Sequence, residues 1–212
     1  MNFQNFVILD NPVVKCMVSL LRDKKCSNDD FRKIARKLSI FLCYESCKDF
    51  ELKSYELETP VDKANGYFFN KPVSVVAVLR AGLGMIPGVL DCIPHAGVGC
   101  IGMYRDEATL NPNRYYCKLP RNISESNTII VDPMLATGGS ACDAINVVKD
   151  AGAKKIIFLS LISAPEGVKK LQDIHPEVCI YTTSLDDHLN DRGYIVPGLG
   201  DAGDRIFGTD IN

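Results

Sequence analysis

From residue 73 onward, short apolar runs alternate with segments of helical periodicity, and this alternation limits the fold more than any other feature of the chain. The apolar runs are rich in Val and Ile and cover residues 73–79, 98–103, 128–132, 155–162 and 178–183. Continuous runs of this kind are typical of strands covered on both faces of a sheet. The helical segments cover roughly residues 83–92, 139–150 and 166–174. The alternation predicts parallel strands with right-handed crossovers, hence a doubly wound, mostly parallel α/β sheet.

Two helices are expected before this alternation begins. Residues 13–24 predict a short helix, and Ser27 followed by Asp30 resembles a capping box that starts a second one. Apolar residues then recur at helical spacing, at Phe31, Ile34, Ala35, Leu38, Phe41 and Leu42. We therefore expect an N-terminal helical segment over residues 1–60 that packs on the core or on a second subunit.

Residues 104–120 break the alternation. Two β-prone flanks surround Asn111-Pro112-Asn113, which is a turn signal. We interpret this segment as a β-hairpin arm that leaves the sheet and packs on a partner through Tyr115 and Tyr116. A disordered loop is the alternative.

The composition fits one soluble domain over residues 1–212, because 46% of the residues are hydrophobic and 24% are charged. A net charge of −2 gives no reason to expect nucleic-acid binding. The chain has no 18-residue apolar run and no basic, apolar leader, so we expect no membrane association and a cytoplasmic location. The nine cysteines are scattered without a C-x-x-C pair, which favours reduced, mostly buried thiols over a metal or redox site.

The stretch IIVDPMLATGGSACDAI (129–145) predicts a phosphate site at the end of a buried strand. Gly138 and Gly139 stand where a helix begins, so backbone N–H groups and the helix dipole can converge on one phosphate, with Thr137 and Ser140 as hydroxyl donors. A tight strand-to-helix connection is the alternative. Asp132, which ends the strand, can face sugar hydroxyls on the same ligand, and a phosphate beside hydroxyls describes a ribose 5-phosphate.

Other phosphate motifs are excluded. No Gly-Lys pair occurs, so there is no Walker A sequence, and Pro87 stands where a dinucleotide fingerprint starting at Gly82 needs its third glycine. Ligands of open α/β sheets bind at the carboxyl ends of the strands. This rule directs attention to Arg80, Arg105, Asp132 and the segment after Ser184.

Several motifs together resemble the type I phosphoribosyltransferase family and, within it, the uracil branch. VDPMLATGGSA resembles the loop that binds 5-phosphoribosyl 1-pyrophosphate (PRPP), and GYIVPGLGDAGDRIFGT (193–209) resembles the C-terminal signature of that branch. VLRAGLGMIPG, IGMYRDEATLNP and PEGVKKL are similar too, so the resemblance covers nearly the full length. Many type I loops have two adjacent acidic residues, whereas Asp132 is followed here by Pro133, which is the form found in the uracil branch. The usual His-Pro near the start is Asn11-Pro12 here.

The resemblance implies a type I phosphoribosyltransferase fold and transfer of the phosphoribosyl group of PRPP to N1 of uracil, giving UMP and pyrophosphate in pyrimidine salvage. It further implies Mg²⁺ bound with the diphosphate, a homodimer or homotetramer, and GTP as an effector, which it is for some members. It also implies an unusual peptide geometry near Arg80-Ala81 and a uracil-binding hood over residues 184–212. Within the hood, residues 193–209 are too rich in glycine for a regular element, which predicts a loop there.

Site residues follow from the same resemblance. The predicted catalytic residues are Asp132, Arg105 and Asp201, and Asp201 is also the predicted metal ligand. PRPP binding is predicted for Arg80, Arg105, Asp132, Pro133, Met134, Leu135, Ala136, Thr137, Gly138, Gly139, Ser140 and Asp201. Uracil binding is predicted for Ile195, Gly200, Asp201 and Ala202.

Two other functions remain open at this point. A type I transferase for a purine base would share the glycine turn but would need aromatic stacking in the hood, where only Tyr194 and Phe207 occur. A non-catalytic, RNA-binding regulator on the same fold would need a basic face. Asp132 and the slightly negative net charge argue against the regulator.

Overall fold

The chain forms twelve strands and six α-helices within residues 3–105 and 112–209, which are the residues that this computed structural model describes. The strands are β1 (Phe6–Ile8), β2 (Leu52–Glu58), β3 (Lys63–Phe69), β4 (Val73–Leu79), β5 (Gly97–Arg105), β6 (Pro112–Lys118), β7 (Asn127–Val131), β8 (Met134–Leu135), β9 (Lys155–Ser163), β10 (Cys179–Leu185), β11 (His188–Leu189) and β12 (Ile195–Val196). The helices are α1 (Pro12–Arg22), α2 (Asn28–Ser46), α3 (Ile86–Cys92), α4 (Gly139–Asp150), α5 (Pro165–Ile174) and α6 (Ala202–Phe207), and a 3₁₀ turn covers Ala81–Gly84.

Eight of these strands form the central sheet, in the order β1-β10-β9-β7-β4-β5-β6 with β8 paired to β9. Every pair in this sheet is parallel except β5 with β6. Two antiparallel pairs, β2–β3 and β11–β12, lie outside it. Because the central strands are parallel, their carboxyl ends meet at one edge. The mostly parallel α/β sheet predicted from the sequence is confirmed.

Helices cover both faces of the sheet, as a doubly wound fold requires. On one face, α1, α2, α3 and α6 pack around fully buried side chains that include Phe31, Leu38 and Met85. On the other face, α4 and α5 pack around a second core that includes Ile145 and Phe158. The N-terminal helices therefore pack on the core of their own chain. No helix among the described residues is both long and apolar enough to cross a membrane.

Several predicted elements occur where they were expected. β4 and α4 have the predicted bounds residue for residue, and Ser27 is the N-cap of α2, with its Oγ accepting the N–H of Asp30 at 3.1 Å. The helix predicted from residue 83 instead begins with the 3₁₀ turn. Its α-helical part starts at Ile86, and Pro87 occupies the first turn.

Residues 1–60 are not wholly helical, which corrects the prediction for that segment. β1 pairs with β10 at the edge of the sheet, and β2 forms a hairpin with β3. β1 has only three residues, and β2 is exposed along most of its length, so neither carries the apolar run used to predict strands.

The predicted hairpin arm at 104–120 is only partly described, because residues 106–111 lie outside the described ranges. Its second flank, β6, pairs antiparallel with β5 and is the edge strand of the central sheet. Residues 112–118 therefore stay in the sheet rather than leaving it.

All nine cysteines are free thiols. Cys16 and Cys117 are exposed, and the other seven are buried or partly buried.

Candidate active site

A cleft of about 370 Å³ lies at the carboxyl edge of the sheet, between the end of β4, the segment after β7 and the C-terminal hood. Its walls contain nine of the predicted site residues: Arg80, Asp132, Met134, Ala136, Ser140, Ile195, Gly200, Asp201 and Ala202. The structure thus brings together residues from three separate parts of the sequence, at the edge where ligands of open α/β sheets bind.

The turn before α4 has the conformation that a phosphate site needs. Gly138 is the N-cap of α4 and adopts a left-handed conformation with φ of 77°, which favours glycine. No side chain caps this helix start, so a ligand can accept from its first N–H groups. We call residues 136–140 the phosphate turn. Ser140 is exposed on the cleft side, and Thr137 is half-buried.

The phosphate turn is supported from behind by α5. A Cβ on Gly167 would lie 2.3 Å from the carbonyl oxygen of Ala136, and a Cβ on Gly138 would lie 2.8 Å from that of Gly167. The two backbones are therefore in direct contact. Sequence reasoning missed this role of Gly167, although a glycine in the first turn of a predicted helix is a signal of close approach.

Asp132 follows β7 and faces the cleft. One carboxylate oxygen accepts the backbone N–H of Met134 at 3.2 Å. Burial raises the pKa of Asp132 to about 7, against the opposing hydrogen bond from Met134, and the carboxylate of Asp201 adds to the rise. A negative charge at Asp132 is therefore costly until a ligand with hydroxyls or positive charge enters the cleft.

The other residues between Asp132 and the phosphate turn divide between cleft and core. Met134 lines the cleft. Leu135 is fully buried in the core beneath α4 and α5, and the carbonyl of Pro133 accepts from Leu161 and Ile162. Contact between PRPP and Leu135 would therefore come from its backbone.

Arg80 stands between β4 and the 3₁₀ turn and lines the cleft. Its guanidinium lies 3.5 Å from Asp204 and 5.7 Å from the ring centre of Phe207. The peptide bond between Leu79 and Arg80 is cis, one bond before the predicted Arg80-Ala81 geometry. Arg105 is the last residue of β5, and its side chain lies outside the described part of the chain.

The hood contains regular structure, which corrects the prediction of a loop without any. Asp201 caps α6 by accepting the N–H of Asp204 at 2.9 Å, and Gly208 ends the helix with φ of 70°. Ile195 is buried in β12, whereas Gly200 is exposed with φ of 81°. The high glycine content concealed a six-residue helix that has ordinary capping signals.

Contacts with the end of α1 anchor α6 from outside the cleft. Arg205 donates to the carbonyls of Leu21 and Leu199 at 2.7 and 2.9 Å and to that of Asp23 at 2.7 Å. Its guanidinium also lies 4.5 Å from the ring centre of Phe31. The end of α1 and the hood are therefore one packed unit.

Sequence reasoning had not assigned seven further residues that line the cleft: Val78, Leu79, Ala81, Met103, Gly193, Tyr194 and Gly203. Val78, Leu79 and Met103 come from the ends of predicted strands, which the strand-end rule could have identified. Gly193 is close to the phosphate turn, since a Cβ there would lie 3.8 Å from the methyl group of Thr137.

Residues 8–209 match the family model of uracil phosphoribosyltransferase. The chain belongs to the uracil phosphoribosyltransferase family. Uracil phosphoribosyltransferase of Pediococcus pentosaceus is 52% identical over 205 residues, which cover 96% of this chain and 98% of that one. The enzyme of Finegoldia magna is 51% identical over 203 residues, covering 95% and 97%. The resemblance seen in the sequence motifs is confirmed.

Solved structures share the fold of this chain. The AQ2163 protein of Aquifex aeolicus superimposes with a TM-score of 0.92 at 36% identity and covers 98% of this chain and 100% of its own. Adenine phosphoribosyltransferase of Trypanosoma brucei, in complex with AMP, pyrophosphate and ribose 5-phosphate, has a TM-score of 0.58 at 13% identity, over 94% of this chain and 89% of its own. The second match shows a shared fold alone.

Proposed function

We propose that this chain transfers the 5-phosphoribosyl group of PRPP to N1 of uracil, giving UMP and pyrophosphate in pyrimidine salvage. The observation that carries the proposal is identity of about one half, over nearly the full length, to proteins named for this activity. The cleft supports it, because the phosphate turn, an acidic residue and the hood line one cavity.

The phosphate turn would bind the 5-phosphate of PRPP. Its left-handed Gly138 and the uncapped start of α4 provide N–H donors and the positive end of a helix dipole. Thr137 and Ser140 would add hydroxyl donors. A dianion can therefore be held at this position without a lysine.

Asp132 and Asp201 would stabilise the sugar as its bond to the diphosphate stretches and positive charge develops on the ring. Both line the cleft, and fixed charges aimed at developing charge are usually the largest catalytic contribution. Arg80 and Arg105 would hold the departing diphosphate, because guanidinium groups suit phosphate oxygens. Holding uracil N1 in line with the anomeric carbon supplies the orientation.

The hood would recognise uracil through Ile195, Gly200, Asp201 and Ala202. Backbone N–H and C=O groups can match the alternating donors and acceptors of the uracil edge. Cytosine would leave a donor facing a donor, and such buried mismatches cost roughly 10⁴-fold in well-built sites.

Magnesium fits the donor set of the cleft. Among the described residues, no three His, Cys, Asp or Glu side chains are grouped closely enough to hold a metal alone. Mg²⁺ usually takes only one or two carboxylates, with phosphates and waters completing its shell. Asp201 would hold the ion beside the diphosphate, where its positive charge would stabilise the leaving group.

Three further parts of the proposal concern the whole protein. Apolar side chains exposed near the N-terminus, including Val13 and Tyr44, support a homodimer or homotetramer. We also propose a cytoplasmic location, with no nucleic-acid or membrane partner, and GTP as an effector. Light scattering measures the assembly, and assays with and without GTP test the effector.

UMP formation from uracil and PRPP tests the function directly. We expect Asp132→Asn and Arg105→Ala to lower the rate by about a hundredfold or more, with unchanged circular dichroism. Hypoxanthine in place of uracil should give no nucleotide. If the protein formed a nucleotide from hypoxanthine and PRPP but not from uracil and PRPP, the purine transferase would be favoured. Unchanged rates in both variants would contradict the assignment of Asp132 and Arg105 to the site.

A further inference from the structure

At Gly198 in the hood, both backbone polar groups, the N–H and the C=O, are hydrogen-bonded to side chains. Its N–H donates to Asp186 Oδ2 at 2.8 Å, and its C=O accepts from Arg22 Nη1 at 2.7 Å. Gly198 is buried and left-handed, with φ of 64°, and a Cβ there would lie 2.1 Å from the carbonyl oxygen of Ile195. The backbone at this point therefore has little freedom to move.

Arg22 and Asp186 form a paired, hydrogen-bonded unit around that glycine. Arg22 Nη1 donates to Asp186 Oδ2 at 2.7 Å, and Nη2 contacts the second carboxylate oxygen. Ser184 joins both, since it accepts from Arg22 at 3.0 Å and donates to Asp186 at 2.9 Å. We call Arg22, Ser184, Asp186 and Gly198 the hood clamp. The fork geometry is the one in which arginine binds carboxylate most strongly.

The hood clamp is shielded from water. The Asp186 side chain is 1% exposed and that of Arg22 is 23% exposed. Burial alone would raise the pKa of Asp186, but the hydrogen bonds from Arg22 and Gly198 hold this pKa below its usual range. Breaking one member would leave the other as a buried, unpaired charge, which is strongly destabilising locally.

The members of the hood clamp do not line the cleft, but Gly198 lies within the hood segment that does. Gly198 is three residues after Ile195 and two before Gly200, and both of these line the cleft. The PRPP side is built on other elements, namely the end of β4, the phosphate turn and α4. Loss of a hydrogen bond in the hood clamp should therefore displace the base side of the cleft and leave the PRPP side in place.

We propose that Arg22 and Asp186 are positioning residues for the base: by fixing the backbone at Gly198 they set the shape of the pocket that receives uracil. This inference rests on the proposed function above. It assigns to α1, which contributes no residue to the cleft wall, a part in base binding.

The test measures KM for uracil and KM for PRPP separately in Arg22→Gln, Asp186→Asn and Ser184→Ala, with Arg22→Lys as the conservative variant. Arg36→Gln is the control for loss of a two-point Arg–Asp pair elsewhere, because Arg36 contacts Asp91 at 2.6 and 2.7 Å between α2 and α3, in a pair more exposed than the hood clamp. Assays run well below the lowest melting temperature, so that global unfolding does not contribute.

We expect Arg22→Gln and Asp186→Asn to raise KM for uracil about tenfold or more, which is the range for loss of a hydrogen bond to a charged group. KM for PRPP should stay within about twofold. Arg22→Lys should recover part of the loss, because it keeps the charge but not the fork. Ser184→Ala removes one hydroxyl, should fold, and should raise KM for uracil a few-fold.

Equal rises in KM for both substrates would overturn the inference, and so would a lowered melting temperature with both KM values unchanged. A rise in KM for uracil in Arg36→Gln as large as in Arg22→Gln would overturn it too. These results are distinct from failure of the proposed function, in which the unaltered protein forms no UMP at all.

Discussion

Asp132 lowers the stability of the folded protein near neutral pH, at the position where we propose a catalytic carboxylate. It lies at a strand end inside the cleft, and burial raises its pKa to about 7. In the unfolded chain an aspartate titrates near 3.9. The folded protein therefore binds more protons than the unfolded chain between about pH 4 and 7, so this residue lowers stability as pH rises through that window.

Asp132→Asn should therefore stabilise the ligand-free protein while removing its activity. Asparagine cannot ionise, and its side-chain oxygen can still accept the Met134 N–H. We expect a melting temperature roughly 2–4 °C higher at pH 8, which corresponds to about 1 kcal/mol at this chain length. Scanning calorimetry at pH 5 and pH 8 measures it, and the difference should shrink at pH 5. An equal difference in melting temperature at both pH values would contradict a pKa of Asp132 that is raised by burial.

Some features in and around the candidate site were predictable and others were not, for a physical reason. Asp132 and Gly138 occupy positions that local chain direction determines, namely a strand end and a helix start. The burial of Leu135 depends on β8, a two-residue strand with no sequence pattern, and on the core that covers it. The role of Gly167 depends on a backbone contact with the phosphate turn from another element.

At the scale of elements, α4 has a left-handed glycine at each end. Gly138 begins the helix with φ of 77°, and Gly152 follows its last turn with φ of 94°. Only Gly138 belongs to the phosphate turn. Substitutions at the two positions therefore separate the effect of backbone strain from the effect of losing the proposed phosphate site.

Gly138→Ala and Gly152→Ala should both destabilise the protein, because alanine in the left-handed region costs about 1–2 kcal/mol. Only Gly138→Ala should also weaken the binding of PRPP and raise the KM for PRPP about tenfold. The new Cβ of residue 138 would push the phosphate turn away from Gly167. Melting curves and KM for PRPP measure the two effects. Equal KM changes in both variants would show that strain alone explains the loss.

Elements were predictable where burial gives them a pattern. β4 is covered on both faces and α4 is bounded by Gly138, so both have their predicted bounds. β2 is exposed along most of its length and has no apolar face to detect. α6 is too short for helical periodicity, and its caps at Asp201 and Gly208 are the local signals that could have revealed it.

For the molecule as a whole, the alternation of strands and helices was enough to predict the sheet, yet the packing of the hood on α1 was not predictable. Arg22 and Asp186 are 164 positions apart and belong to segments with no shared pattern. Contacts of this kind arise from the complete fold, and a single sequence carries no periodicity that would indicate them.

His175 is expected to give the stability of the whole protein a dependence on pH. It is 3% exposed; Nδ1 accepts from Lys149 Nζ at 2.8 Å, and Nε2 donates to the carbonyl of Cys142 at 3.3 Å. Burial, followed by the Lys149 charge, lowers the pKa of His175. The unfolded chain takes up this proton near pH 6.5 and the folded chain only at lower pH, so stability should fall as pH drops below about 6.5.

His175→Gln should flatten that dependence. The free energy of unfolding, measured by urea denaturation at pH 7.5 and 5.5, should fall less in this variant than in the unaltered protein. His95→Gln is the control, since His95 is exposed, and it should keep the original slope. A slope unchanged in His175→Gln would mean that other groups cause the acid sensitivity.

Arg205 reaches back to the carbonyl of Leu21 across 184 positions of sequence. On the ribosome, α1 emerges before Arg205, and the contact between them can form only after the 184 positions that separate Leu21 from Arg205 have been translated. The packing of the hood on α1 is therefore completed only after residue 205 has been translated, and a nascent chain stalled before that residue would carry a finished phosphate turn without the hood proposed to hold the acceptor.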